Sequence, residues 1–149
     1  FGEFTPTDFV VPVKDIAVRA ASYAMKSLIA DGMDFFDVYA KAGEALEHCR
    51  RGEGPVLLEC KTYRFAGHYV GDSLAYRSKE EAEEWIQNRD PLQLFEQHVV
   101  EARLVDAGDL RRIDGEVREA LEAAVAAAEA APFPDPSEVT TDVYAETVR

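Results

Sequence analysis

The stretch Pro55–Phe65, PVLLECKTYRF, decides the fold, because its first part is uniformly apolar instead of alternating apolar and polar residues. A strand that is covered on both faces has this pattern, since neither face meets water. Gly52 and Gly54 lie just before it and separate it from the preceding segment. The stretch therefore predicts a buried strand of a parallel sheet.

A strand and an amphipathic helix precede this stretch. Residues 27–32, SLIADG, form a short apolar run that ends in a turn signal and predicts a strand. Asp34 can cap the helix that follows. The apolar positions of this helix recur at intervals of three and four residues and form one stripe: Phe35, Val38, Tyr39, Ala42, Leu46 and Cys49. Strand, helix and strand predict a parallel βαβ unit, and residues 14–25 predict a short helix before it.

Helical segments follow residue 77. Ser78 and Glu81 form a capping box, and Asp90 with Pro91 begins a second helix. Residues 109–131 carry apolar residues at helical spacing and predict a long helix, and residues 140–146, TTDVYAE, predict a short terminal strand or an extended arm. We therefore expect one α/β domain over residues 1–149, with an α/β part at 1–77 and a helical part at 78–149.

Composition argues against several classes of function. Sixteen Lys and Arg against 29 Asp and Glu give a formal charge of −13, which repels nucleic acid and anionic membrane surfaces. Cys49 and Cys60 have no metal-ligand spacing, and two such cysteines are typical of a reducing compartment, so we expect a cytoplasmic protein. No apolar run approaches the roughly 20 residues that a membrane-spanning helix needs.

The loop at residues 63–77, YRFAGHYVGDSLAYR, contains the candidate functional residue His68. It follows the predicted strand, at the sheet edge where parallel sheets bind ligands. Gly67 allows a close approach of the backbone to a ligand, and an imidazole can exchange a proton near neutral pH. An ordinary loop histidine is an equally open reading. His48 and His98 lie on predicted helices, where we expect surface or packing roles.

Charged residues surround His68 in the sequence. Arg64 and Arg77 could bind a phosphate, because a guanidinium group matches its geometry. The alternative, which we favour, is that they pair with Asp72 and Glu80 and so order the loop. The acidic residues at 80–84 are typical of a solvated helix face and do not indicate a catalytic pair.

Three segments carry a family resemblance: DGMD at 31–34, GPVLLECKTYRFAGHYVGD at 54–72, and AYRSKEEAEEW at 75–85, which RDPL follows. Together they resemble the α subunit of thiamine-diphosphate-dependent E1 enzymes of the pyruvate, branched-chain 2-oxoacid and acetoin dehydrogenase complexes. The resemblance covers essentially the whole chain. It implies the C-terminal half of a thiamine-diphosphate-binding fold, in which the GDG turn and paired asparagines that hold the cofactor precede Phe1.

The resemblance also implies roles for particular residues. His68 matches the family's loop histidine, which reaches the cofactor and is expected to be catalytic and cofactor-binding. Phe1 occupies a position whose backbone carbonyl binds Mg²⁺ in the family. Five residues match those that keep the loop ordered: Tyr63, Arg64, Asp72, Tyr76 and Arg77. Because the GDG motif and asparagines are missing, we expect these residues alone to be inactive and to bind no thiamine diphosphate with Mg²⁺.

The function implied is oxidative decarboxylation of a pyruvate-like 2-oxoacid, or cleavage of acetoin, with acyl transfer to lipoyl on the E2 component. The disulfide of lipoyl is the acceptor in this oxidoreductase reaction. The partners implied are the E1 β subunit, in an α2β2 heterotetramer, and the lipoyl domain of E2. We expect the isolated chain to self-associate through surfaces meant for these neighbours.

Two positions depart from the mitochondrial members of the family. Tyr69 and Ala75 stand where those members carry serines that kinases phosphorylate, so a bacterial-type enzyme without that switch is indicated. A different reading is a non-catalytic, acidic helical module that assembles partners through the long C-terminal helix. A phosphohistidine carrier using His68 is the weakest alternative, because a carrier needs no site at a strand end.

Overall fold

A two-stranded parallel sheet organises the first part of the chain. The structure is a computed structural model, and it describes residues 3–141. Strand β1 (Lys26–Asp31) pairs in parallel with β2 (Val56–Lys61), with Lys26 opposite Val56 and Asp31 opposite Lys61. Both predicted strands are confirmed, but the predicted burial of β2 is wrong: none of its residues is buried and Cys60 and Lys61 are exposed, because a sheet of two strands leaves β2 at its edge. Because the strands end at the same level, the segments that follow them begin side by side.

Helices precede and connect the two strands. Helix α1 (Thr7–Val10) is a single turn, a 3-10 helix covers Ile16–Tyr23, and α2 (Phe35–Arg50) joins β1 to β2. The Asp34 carboxylate accepts hydrogen bonds from the first turn of α2, as its predicted cap role requires. The 3-10 helix and α2 each contact both strands. The βαβ order is confirmed, and the chain is mixed α/β.

The buried interior of this part is small. The residues that are 4% exposed or less are Ala17, Ala20, Ala30, Met33 and Val99. On α2, much of the predicted apolar stripe faces solvent: Phe35 is 52% exposed, Tyr39 71% and Leu46 53%. The stripe was predicted correctly as part of a helix, but a sheet of two strands is too narrow to cover all of it.

Two helices follow the loop after β2. Helix α3 (Lys79–Asn88) begins where the Ser78 hydroxyl accepts a hydrogen bond from the backbone of Glu81, with 3.0 Å between the atoms. Helix α4 (Pro91–Glu101) begins where the Asp90 carboxylate accepts one from Leu92 at 2.9 Å. Both predicted helix starts are confirmed, because capping depends on residues only two or three positions apart.

The chain divides into two compact units between Leu104 and Val105. The second unit contains α5 (Ala107–Ala130), which confirms the long helix, and a 3-10 helix at Pro136–Thr140. The predicted terminal strand at 140–146 lies mostly outside the described residues, and the boundary after residue 77 remains a prediction. Within residues 3–141, no helix has the length and apolar character to cross a lipid bilayer.

Candidate functional site

The turn after β1 and the loop after β2 are joined directly. The backbone N–H of Gly32 donates to the carbonyl oxygen of Lys61 at 2.7 Å, and that of Tyr63 donates to Sδ of Met33 at 3.4 Å. A Cβ on Gly32 would lie 2.4 Å from Cγ2 of Thr62 and 2.7 Å from the Lys61 oxygen, so only glycine fits this contact. The loop therefore starts from a fixed position at the sheet edge.

Asp72 is the acceptor around which the loop folds. Its Oδ2 accepts hydrogen bonds from the backbone N–H of His68 and from the Tyr76 hydroxyl, both at 2.8 Å. Its Oδ1 accepts from the backbone N–H of Leu74 at 3.0 Å. Burial opposes the charge on Asp72, but these hydrogen bonds and the nearby Arg64 hold the pKa of the carboxyl below its ordinary value. Asp72 is therefore an anion at neutral pH.

Leu74 adopts a backbone conformation that is uncommon for a residue with a side chain. Its φ angle is 57°, in the left-handed region. The bond from its N–H to Asp72 and the bond from the N–H of Arg77 to its carbonyl oxygen, at 3.2 Å, hold it there. The turn that brings Tyr76 back toward Asp72 is therefore held by hydrogen bonds on both sides of Leu74.

Arg64 joins the loop to the beginning of the chain. Its Nη2 donates to the Tyr76 hydroxyl at 2.9 Å and to the carbonyl oxygen of Glu3 at 3.0 Å, and its Nε donates to that of Ala66 at 3.1 Å. The Tyr76 hydroxyl thus lies between Arg64 and Asp72, where the sequence led us to expect a direct ion pair. A hydroxyl can bridge the two because it donates and accepts at once.

Arg77 closes the loop from its other end. Its guanidinium group donates to the carbonyl oxygens of Arg64 and Phe65, and its Cζ lies 5.2 Å from the centroid of the Tyr63 ring. The planar fork of a guanidinium can reach two neighbouring carbonyls at once, which an ammonium cannot do with the same geometry. Arg77 therefore ties the last residues of the loop to its first.

An aromatic stack connects this loop to α3. The Tyr63 and Trp85 rings are nearly parallel, with centroids 4.8 Å apart and 4° between their planes. Arg89 lies over the Trp85 ring, with its Cζ 5.6 Å from the ring centroid. The guanidinium group of Arg89 also forms an ion pair with the carboxylate of Asp31 at the end of β1. Burial, together with Glu81, raises the pKa of Tyr63. The stack links the loop, α3 and the end of β1.

The His68 side chain is exposed, although its backbone is fixed. Its ring lies edge-on to Phe4, with centroids 6.2 Å apart. A Cβ on Gly67 would lie 2.9 Å from Cβ of Asp72, so the residue before His68 must be glycine for the loop to close as it does. The imidazole can donate or accept a proton or a hydrogen bond toward a molecule that binds at this end of the sheet.

The structure brings most of the predicted site residues together. Tyr63, Arg64, Asp72, Tyr76 and Arg77 all lie in the contacts just described around the loop of His68, whereas Phe1 lies outside the described residues. The other two histidines make different contacts: Nδ1 of His48 lies 2.7 Å from a Glu53 carboxylate oxygen, and the His98 ring lies 4.4 Å from that of Phe36.

Sequence reasoning missed Phe4 and Trp85. Phe4 contacts the loop from far away in the chain, and no local pattern marks such a contact. Trp85 lies on an ordinary amphipathic helix. The only feature of the sequence that could have marked it as a contact residue is that it is the single tryptophan of the chain.

The comparisons with known proteins agree on one family. Residues 1–137 match the family described as "Dehydrogenase E1 component". The α subunit of acetoin:2,6-dichlorophenolindophenol oxidoreductase is 41% identical in Bacillus subtilis (strain 168) and 42% identical in Cupriavidus necator, in each case over 97% of this chain and 43% of the relative. The α subunit of the pyruvate dehydrogenase E1 component of Rickettsia conorii is 38% identical over 89% of this chain and 40% of that protein.

The chain thus spans less than half the length of these relatives, and it matches a part of their α subunits. The family match covers the strands, the His68 loop and α3 to α5. The chain belongs to the dehydrogenase E1 component family.

Proposed function

We propose that these residues are part of the α subunit of a bacterial-type, thiamine-diphosphate-dependent E1 enzyme. The reaction is oxidative decarboxylation of a pyruvate-like 2-oxoacid or cleavage of acetoin. The family match and the names of the relatives support this assignment, since they include both acetoin oxidoreductase and pyruvate dehydrogenase α subunits. The parallel βαβ unit supports placement in a thiamine-diphosphate-binding fold, of which these residues form the C-terminal half.

The observation that carries the proposal is the geometry of the His68 loop. Asp72 fixes the backbone of His68, and Arg64 and Arg77 direct their guanidinium groups to carbonyl oxygens and to Tyr76. The imidazole of His68 remains exposed at the carboxyl end of a parallel strand. A general acid or hydrogen-bond donor for a bound ligand needs this combination of a fixed backbone and an accessible ring.

His68 has a specific task in this proposal. When bound, thiamine diphosphate would supply a nucleophilic carbanion on its thiazolium ring for the carbonyl group of the substrate. The His68 imidazole donates a hydrogen bond to the oxygen on which negative charge develops, or to a phosphate oxygen of the cofactor. The exposed ring is accessible for either contact. The residues that hold the loop act on the reaction only through the position of His68.

Magnesium fits the described residues poorly. No three His, Cys, Asp or Glu side chains come together as metal ligands within residues 3–141. Hard oxygen ligands are what Mg²⁺ requires. In the proposed enzyme the ion therefore takes its side-chain ligands from elsewhere in the subunit, and Phe1 would contribute its carbonyl oxygen.

The proposed partners follow from the same assignment. The E1 β subunit completes an α2β2 heterotetramer, and the lipoyl group of E2 accepts the acyl group as its disulfide is reduced. We place the enzyme in the cytoplasm, in keeping with two cysteines that lie unpaired and exposed in the structure.

The test uses the complete α subunit that contains these residues, assembled with its β subunit. Reduction of 2,6-dichlorophenolindophenol is followed with acetoin or pyruvate as donor, with and without thiamine diphosphate, and acyl transfer to a lipoyl domain is followed separately. We expect cofactor-dependent turnover of one of the donors. A folded heterotetramer that binds thiamine diphosphate but turns over neither donor nor a branched-chain 2-oxoacid would contradict the proposal.

A second candidate is a non-catalytic interaction module, and α5 supports it. Four of its apolar residues at helical spacing are exposed within the second unit: Ile113, Val117, Leu121 and Val125. Such a row is typical of a surface that another protein covers. The turnover assay separates the candidates, because a module would bind a partner through α5 without thiamine-diphosphate-dependent chemistry.

A further inference from the structure

Phe4 contacts three aromatic side chains of the His68 loop. Its ring centroid lies 6.2 Å from that of His68, 5.9 Å from that of Tyr69 and 6.4 Å from that of Tyr76. The planes are inclined by 77°, 84° and 65°, so all three contacts are of the edge-to-face type. Aromatic rings prefer this arrangement because the positive edge of one meets the negative face of the other.

A hydrogen bond places Phe4 there independently of its ring. The carbonyl oxygen of Glu3, the preceding residue, accepts from Nη2 of Arg64 at 3.0 Å, and the same nitrogen donates to the Tyr76 hydroxyl. The segment that carries Phe4 is therefore tied to the network that fixes the loop. Phe4 is also not a core residue, since it remains 49% exposed.

The contacts of His68 divide between its backbone and its ring. Asp72 accepts a hydrogen bond from the backbone N–H of His68. This bond fixes the backbone of His68 but leaves the side-chain torsion angles of His68 free. Phe4 contacts the ring itself. A bulky neighbour on one side of an exposed ring reduces the number of orientations that the ring can adopt.

We infer that Phe4 is a positioning residue for His68 and holds the imidazole in the orientation used in the reaction. This inference rests on the proposed function of the His68 loop. Phe4 makes no contribution to the chemistry itself and acts through the histidine ring. An aromatic ring is needed at position 4, because an aliphatic side chain of similar size lacks the flat face and the polar edge of the contact.

The experiment uses the complete α subunit assembled with β. The variants are Phe4→Leu, Phe4→Tyr, His68→Ala and the double variant Phe4→Leu/His68→Ala. Phe9→Leu is the matched control, because Phe9 lies in the same segment and is 83% exposed. The measurements are kcat and KM for the donor substrate, acyl transfer to a lipoyl domain, and the melting temperature.

We expect Phe4→Leu to lower kcat about tenfold, since small displacements of a reacting group cost rate steeply. KM and the melting temperature should stay near their normal values, and Phe4→Tyr should restore kcat because it keeps the ring. Phe9→Leu should behave as wild type. The double variant should be no slower than His68→Ala alone, because Phe4 acts only through the ring that is then missing.

Each other outcome overturns the inference. Normal kcat in Phe4→Leu, while His68→Ala is impaired, overturns the role of Phe4 and leaves the proposed function standing. Additive losses in the double variant show that Phe4 acts elsewhere. A lower melting temperature with normal kcat per folded enzyme shows a structural role. Normal kcat in His68→Ala removes the role of His68 in the proposed function together with that of Phe4.

Discussion

The carboxylate of Asp72 accepts a hydrogen bond from the backbone N–H of His68, with 2.8 Å between Oδ2 and the nitrogen. The same oxygen accepts the hydroxyl of Tyr76, which in turn accepts from Arg64. The order of the loop and the presentation of His68 therefore depend on one carboxylate. Any change that moves Asp72 should alter both the protease sensitivity of the loop and the activity of the enzyme.

Gly67→Ala tests this dependence with a single methyl group. The added Cβ would lie 2.9 Å from Cβ of Asp72, so the loop must shift. We expect faster trypsin cleavage after Arg64 and a loss of activity of about tenfold or more in the assembled enzyme. The control is Gly43→Ala on α2, where nothing lies within 4 Å of the new Cβ. Gly43→Ala should stabilise the chain by about 0.5–1 kcal/mol and leave trypsin cleavage and activity unchanged. Equal cleavage rates and equal activities of the two variants would contradict the role of Asp72.

Much of the fold could be predicted because its signals are local. Asp34, Ser78 and Asp90 each cap a helix through backbone N–H groups two or three residues away, so the sequence order alone reveals them. The parallel pairing of β1 with β2 could be predicted from two apolar runs with a helix between them. The burial of the α2 stripe could not, because it depends on how many strands lie beside the helix.

The site was predictable in part. His68 and the charged residues near it are close in sequence, and the glycines and the preceding strand marked the loop. The contact of Phe4 with His68 and that of Trp85 with Tyr63 join distant segments. The position of the Tyr76 hydroxyl between Arg64 and Asp72 could not be predicted either, because the sequence shows which charged residues are near one another but not the geometry of their hydrogen bonds.

Arg77 should be replaceable by neither alanine nor lysine. It bonds to the carbonyl oxygens of Arg64 and Phe65 and lies over the Tyr63 ring. Lysine keeps the charge but lacks the planar fork. We expect both variants to show faster trypsin cleavage after Arg64 and reduced activity. Arg118→Ala, on the exposed face of α5, is the control and should change neither. Normal protection in Arg77→Lys would show that charge alone suffices.

The stability of the chain should depend on pH through Glu59 on β2. Its side chain is 12% exposed, and its Oε2 accepts from the backbone N–H of Ala17 at 2.7 Å. Burial raises the pKa of Glu59, but the hydrogen bonds from Lys61 and the backbone N–H groups outweigh burial and hold the pKa below its ordinary value. Because the pKa of Glu59 is lower in the folded state, its carboxylate contributes fully to stability at pH values above the pKa of the unfolded state. This contribution to the free energy of unfolding is lost as the pH falls through the pKa of the folded state.

Glu59→Gln makes this contribution measurable. We expect it to lower the free energy of unfolding by about 1–2 kcal/mol at pH 7. The difference from wild type should stay constant down to about pH 5 and shrink in more acidic solution, because the wild-type carboxyl then takes up a proton. Glu83→Gln on the exposed face of α3 serves as the control. Thermal or urea unfolding from pH 7 to pH 3 gives the result, and a difference that grows toward acid would contradict the assigned sign.

The isolated chain should self-associate. Large apolar side chains are exposed on both units, among them Tyr39 on α2 and Leu121 on α5, and neighbours would cover them in an assembled enzyme. Sedimentation velocity at micromolar concentration should show dimers or larger species, and Leu121→Glu should reduce them if α5 takes part. A monomer over the whole concentration range would contradict this expectation.

The most direct test of the central claim is the turnover of His68→Ala in the assembled enzyme, measured beside its melting temperature. Because the Asp72 bond uses the backbone of His68, alanine can keep the loop closed while it removes the imidazole. We expect kcat for acyl transfer to fall by about a hundredfold, as loss of one positioned donor typically causes, with an unchanged melting temperature. Wild-type turnover, or a loss of stability without a loss of rate per folded molecule, would contradict the assignment of His68 to the reaction.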